Sequence, residues 1–250
     1  MTGPADRCRP ARAGGTIGAQ GGQALVESAL TLPLVIFMAL GAIQLFMMMQ
    51  GRAMAQYAVA RATRAGSLKS GSCTAMLHSA VGALLPTFTA TTTATQLADA
   101  FDARRDGRFN PAKDQGRSEP IVWLERRSPT VRGKDEEELF DLAANSPPTL
   151  SVRMVFWYPL KIPFADWVWS KLMLGYFGLR TTSAVNPLAP TQTAASWNEG
   201  QNIDGAVGGE LVRRADRGHY SAPIQVTYTM KMMSPARAKN FAAPFCQPYP

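Results

Sequence analysis

The sequence predicts an α+β protein: one long N-terminal transmembrane helix followed by a domain built on an antiparallel sheet. Three observations predict it. An uncharged apolar run extends from Ala29 to Met49, an alanine-rich stretch continues it to Leu68, and alternating residues recur at Leu150–Tyr158 and Ile224–Met232. A chain of 250 residues is long enough to bury a core. Its apolar fraction of 46% and charged fraction of 18% argue against wholesale disorder.

The apolar run reads ALTLPLVIFMALGAIQLFMMM, with Thr31 and Gln44 as its polar members. Twenty-one residues rising about 1.5 Å each cover roughly 30 Å, the hydrocarbon thickness of a bilayer. A secretory signal has a shorter apolar region of about 7–15 residues. A buried core helix would carry a polar stripe, whereas this segment is apolar on every face. Pro33 is tolerated because a transmembrane helix can satisfy the freed backbone groups locally. Residues 50–68, QGRAMAQYAVARATRAGSL, lack proline and extend the helix. Met54, Tyr57, Ala58, Arg61 and Ala62 fall at helical spacing, Arg52, Arg61 and Arg64 supply a wet face, and Gly66 and Ser67 end it.

Beyond the helix, residues 70–98 are rich in small side chains, and the tract TFTATTTAT from Thr87 to Thr95 reads as a short strand or a solvated linker. Residues 99–149 hold most of the charge and many breakers, with a short helix expected at Lys134–Ala144. Its acidic run Asp135–Glu138 reads as a solvated helix start suited to the helix dipole rather than a cation site. In Leu150–Tyr158, Val152, Met154, Phe156 and Tyr158 alternate with Ser151, Arg153, Val155 and Trp157. Ile224, Val226, Tyr228, Met230 and Met232 make the second stretch a half-buried strand. Between them, Trp167, Trp169, Tyr176 and Phe177 crowd a short helix bounded by Pro163 and Gly178. Two readings of these aromatics stand: packing in the core or against a subunit, or a surface at the bilayer interface. Residues 181–222, rich in Thr, Pro, Gly and Asn, read as a long loop.

The formal charge of +8 invites a nucleic-acid reading, but the basic residues are dispersed. Pairs such as Arg104-Arg105, Arg126-Arg127 and Arg213-Arg214 have acidic neighbours, and an anionic membrane suits the balance as well. His78 and His219 are remote from each other and from Cys8, Cys73 and Cys246, so no zinc spacing arises and no metal or other cofactor is expected. Cys73 and Cys246 both follow the apolar helix and are the disulfide candidates if that part is exported, with two free thiols as the alternative. GxSxG, HExxH and Walker-type loops are absent, so no catalytic residues and no small-molecule substrate are assigned.

Glu27 stands at the edge of the apolar run, where a carboxylate is costly unless paired or functional. It is the fifth residue after Gly22, in GQALVESALTLPLVIF. The pattern resembles the class III prepilin signal, and more closely the TadE-like family of tight-adherence pilus systems. The matching residues are Gly22, Val26, Glu27, Ala29, Leu32 and Pro33, followed by the alanine- and arginine-rich stretch with Arg61 and Arg64. Ser28 stands where that family often has an aromatic residue. The resemblance implies cleavage by a prepilin peptidase between Gly22 and Gln23. It implies three parts: residues 1–22 as a cytoplasmic leader, 23–68 as the transmembrane and protruding helix, and 69–250 as a pilin-like exported domain with long loops. It further implies a pseudopilin-like inner-membrane component of Flp-type (type IVc) pilus assembly, with its N-terminus cytoplasmic and its C-terminal domain periplasmic. Its partners would be the peptidase and other pilus or pseudopilin subunits, and Glu27 would act in assembly. Flanking charge opposes this orientation, since Arg52, Arg61, Arg64 and Lys69 follow the span, though large translocated domains are little constrained by it. A membrane-anchored periplasmic hydrolase and a type II secretion pseudopilin are the competing readings.

Overall fold

The computed structural model describes residues 20–89, 92–109, 119–131, 148–179 and 203–246. Two units divide it, Met1–Ala42 and Ile43–Pro250, and helix α1 (Gln20–Leu68) runs through both. The helix continues across Pro33 without interruption. Its residues from Val26 to Met38 are exposed.

From Gly51 onward α1 changes character. Gly51, Ala55, Ala58, Val59, Ala62, Thr63, Gly66 and Ser67 are buried. They recur every three or four residues and so form one stripe. The stripe is made of small side chains because the neighbouring layer comes close. A Cβ on Gly51 would stand 2.6 Å from the Tyr158 ring, and one on Gly66 2.6 Å from Met76 Sδ. The expected wet face holds, since Arg52, Arg61 and Arg64 are exposed. Tyr57 and Arg61 lie on the solvent side, joined by a 3.1 Å hydrogen bond from the Arg61 guanidinium to the Tyr57 hydroxyl.

The α+β expectation holds. A four-stranded antiparallel sheet has the order β5-β4-β3-β6, from β3 (Val122–Ser128), β4 (Thr149–Pro159), β5 (Ser221–Lys231) and β6 (Phe245–Cys246). A separate two-stranded ladder joins β1 (Arg108–Phe109) and β2 (Glu119–Pro120). Register follows the apolar pattern, with Val152 opposite Arg126 on one side and Tyr228 on the other. Strand β4 is covered on both faces. Leu150, Val152, Met154, Phe156 and Tyr158 pack with the α1 stripe and with α2 (Cys73–Leu84). Val155 and Trp157 turn the other way and pack with Trp123, with Leu174 of α4 (Ala165–Tyr176) and with Val207 and Leu211 of α5 (Gly205–Asp216). The result is helix, sheet and helix in three layers.

Several expectations are corrected. Residues 73–84 form α2, and in the tract Thr87–Thr95 no strand occurs among the described residues, α3 (Ala94–Asp102) beginning at its end. Apolar Met76, Leu77, Ala80, Val81 and Leu84 give α2 a helical face, and the Thr93 hydroxyl caps α3 by accepting the Gln96 N–H at 3.3 Å. The long loop expected at 181–222 contains α5 and the first residues of β5. Strand β3 arises within the charged region 99–149. The helix expected at Lys134–Ala144, with its acidic run, lies outside the described residues, as does Cys8.

Candidate functional site

Of the motif-bearing residues, Val26, Glu27, Ala29, Leu32 and Pro33 are exposed on α1. Gly22 and Gln23 fall in its first turns, and residues 1–19 of the expected leader lie outside the described residues. Glu27 is exposed, and its carbonyl accepts a hydrogen bond from Thr31 Oγ1 at 2.9 Å. This bond satisfies the Thr31 hydroxyl inside the helix's own groove, which removes one polar cost of placing it in lipid. Around these residues Leu30, Leu32, Leu34, Val35, Ile36 and Met38 all point outward. In water so continuous an apolar surface would be penalised by about 25 cal/mol per Å2. Among the described residues, this is the one helix long and apolar enough to cross a membrane. It has the character of a single-pass membrane anchor.

Cys73 and Cys246 are joined by a disulfide, with Cα atoms 5.3 Å apart across a sequence separation of 173. The bond ties the last described strand to the start of α2, next to the end of α1. Arg126 reinforces the junction by donating to the carbonyls of Gly71 and Ala243. Its guanidinium stacks 5.0 Å from the Phe241 ring centroid.

A second constellation joins residues far apart in the sequence. Glu119, Glu210 and Arg214 are almost wholly buried, at 3%, 4% and 2% exposure. Arg214 Nε donates to Glu210 at 2.7 Å and its Nη2 to the Pro120 carbonyl at 2.6 Å, while Glu119 lies 3.5 Å away. The face of Trp157 lies 4.4 Å from the guanidinium carbon. Burial pushes the Arg214 guanidinium down from its ordinary value, and Glu119 and Glu210 push it back up. Arg213 pairs with Glu210, and His219 Nδ1 lies 3.0 Å from Glu119. The carboxylates are thus engaged by cations, and the cluster locks β2 to α5. Its spacing of i and i+4 within α5 was visible in the sequence; the distant partner Glu119 was not.

In the aromatic helix the core expectation holds for two of the four side chains. Trp169 packs against the main core and Phe177 against the second one. Trp167 and Tyr176 are exposed.

A family model described as TadE-like protein matches residues 22–64. The matched span begins at the glycine before the QALVE motif and ends inside the packed half of α1. It supports involvement in tight-adherence pilus assembly. No curated protein and no solved structure matches the chain.

Proposed function

From the TadE-like character of residues 22–64, we propose that this chain is a pseudopilin-like inner-membrane component of the tight-adherence pilus machinery, processed by a prepilin peptidase. The observation that carries the reading is the placement of the motif. Gly22 and Glu27 lie on α1, and the residues of that helix from Val26 to Met38 are exposed. A helix that anchors a subunit and then packs with like helices needs that surface free.

Cleavage between Gly22 and Gln23 would leave a positive α-amino group on Gln23, four positions before Glu27. In a low-dielectric surround an unpaired carboxylate is heavily penalised and an opposite charge strongly attracted. Glu27 therefore neutralises the new amine of its own or a neighbouring subunit and sets the register of assembly. The exported domain of residues 69–250 lies in the periplasm, where a Cys73–Cys246 bridge is compatible with the redox state. Its surface contacts other pilus subunits.

The test is intact mass with N-terminal sequencing of the membrane-extracted protein, expressed beside its own prepilin peptidase. A new terminus at Gln23 that disappears in Gly22→Ala is expected. An intact leader under those conditions would remove the peptidase from the reading and leave a membrane-anchored domain.

A further inference from the structure

The connection between β4 and α4 runs along α1 toward the apolar stretch. Tyr158, at the end of β4, lies over Gly51. Four residues later the Ile162 N–H donates to Gln44 Oε1 at 3.1 Å. Gly51 to Gln44 is seven positions, or about 10 Å along a helix rising 1.5 Å per residue. The connection therefore passes the polar boundary of α1, at Gln50 and Arg52, and reaches into the level of Ala29–Met49. Gln44 is fully buried beneath it, so the connection shields one of the two polar side chains of that run.

At this level the fold turns aromatic residues outward. Phe164 is 79% exposed and Trp167 52%. Phe164 also adopts φ +67° and ψ −46°. A bulky residue with positive φ is strained, yet here the ring it carries is left outside the fold. Ile43, Leu45 and Phe46, beside Gln44 on α1, are exposed as well, and the Ile162–Gln44 bond brings the turn to that part of the helix. Asp166, the acid of this turn, is occupied by accepting the Trp167 N–H at 2.7 Å. Lys161, exposed at the head of the turn, donates Nζ to the Thr87 carbonyl.

We infer that the turn Ile162–Trp167 is a second membrane contact, which places Phe164 and Trp167 in the headgroup and hydrocarbon boundary of the bilayer that α1 crosses. The inference rests on reading α1 as a membrane anchor. Lipid is favoured over a protein partner because the turn is level with, and continues, the apolar collar of the anchor itself. Tryptophan suits that depth, with an apolar body and one polar N–H, and a lysine beside it suits anionic headgroups. Two attachments would hold the domain against rotation about α1 and present a fixed face to other subunits.

Site-directed spin labelling of the full chain tests it, in vesicles of phosphatidylethanolamine and phosphatidylglycerol and a Cys8→Ser background. Labels are placed singly by Phe164→Cys, Trp167→Cys, Leu34→Cys and Met233→Cys. Met233 is a water reference, since its N–H donates to the Ser67 carbonyl at the far end of α1. Oxygen is expected to relax the labels at 164 and 167 more than a water-soluble nickel chelate does, as at 34, with the opposite order at 233. Nickel dominance at 164 and 167 with oxygen dominance at 34 overturns the inference and leaves the anchor standing. Nickel dominance at 34 overturns the anchor and the inference with it. Protection of 164 and 167 from both reagents assigns the turn to a protein contact and also overturns it.

Discussion

At the scale of single residues, two carboxylate environments are set by what surrounds them. Glu27 is exposed on α1, whereas Glu119 and Glu210 are buried and matched to Arg214. Replacing Glu27 by Gln removes charge and keeps shape. Membrane insertion should stay unchanged by fractionation, while pilus output, counted by electron microscopy, falls sharply; undiminished output would remove the assembly role. Arg214→Ala should act on the fold instead. It removes the buried cation between two carboxylates, leaving Glu210 to Arg213 and Glu119 to His219 and Arg217, so about 1.5–3 kcal/mol of stability should be lost. Denaturant unfolding of the disulfide-intact protein in detergent measures it. A loss below about 1 kcal/mol, the level of an exposed pair, would mean that the cluster is solvated.

At the scale of elements, α5 shows what pattern can and cannot reveal. Its sequence GAVGGELVRRAD holds three glycines, each costing about 1 kcal/mol against alanine in a helix interior, and so read as loop. Tertiary contacts reverse that preference. Val207 and Leu211 are buried, Asp204 caps the first turn by accepting the Ala206 N–H at 3.1 Å, and Glu210 and Arg214 lock onto β2. The glycines are not equivalent. A Cβ at position 209 meets nothing within 4 Å, whereas at 208 it stands 2.9 Å from Leu179 Cδ2. Gly209→Ala should stabilise by about 0.5–1 kcal/mol, while Gly208→Val should destabilise by about 1–3 kcal/mol; thermal unfolding compares them. The same physics explains the other elements. Helices α1 and α4 and strands β4 and β5 were legible because their apolar periodicity is long. Strand β3 was not, because VWLERRS buries both faces, and Arg126 reaches backbone carbonyls that no pattern reveals. The motif half of α1 was legible from residues alone, while the charge cluster needed residues 95 positions apart, Glu119 and Arg214, to converge.

At the scale of the whole molecule, the chain closes on itself. Cys246 near its C-terminus meets Cys73 just after α1, so the bridge encloses nearly the entire sheet domain in one covalent loop. In the chain-entropy account a loop of more than 100 residues removes about 5 kcal/mol from the unfolded state. The bridge also holds β6 against Leu124 and Glu125 of β3, a two-residue edge strand with little hydrogen bonding of its own. This makes the bridge a reporter of topology. If the domain is periplasmic, rapid alkylation of cells followed by mass spectrometry should find Cys73 and Cys246 unmodified and the peptide pair linked. A strain lacking its periplasmic thiol oxidase should show both alkylated and the domain degraded faster. Cys73→Ser should reproduce that loss in an oxidising strain, lowering denaturant stability by about 2–5 kcal/mol. Free thiols in the wild-type protein, alkylated before lysis, would put the domain on the reducing side and restore weight to the arginines that follow the span.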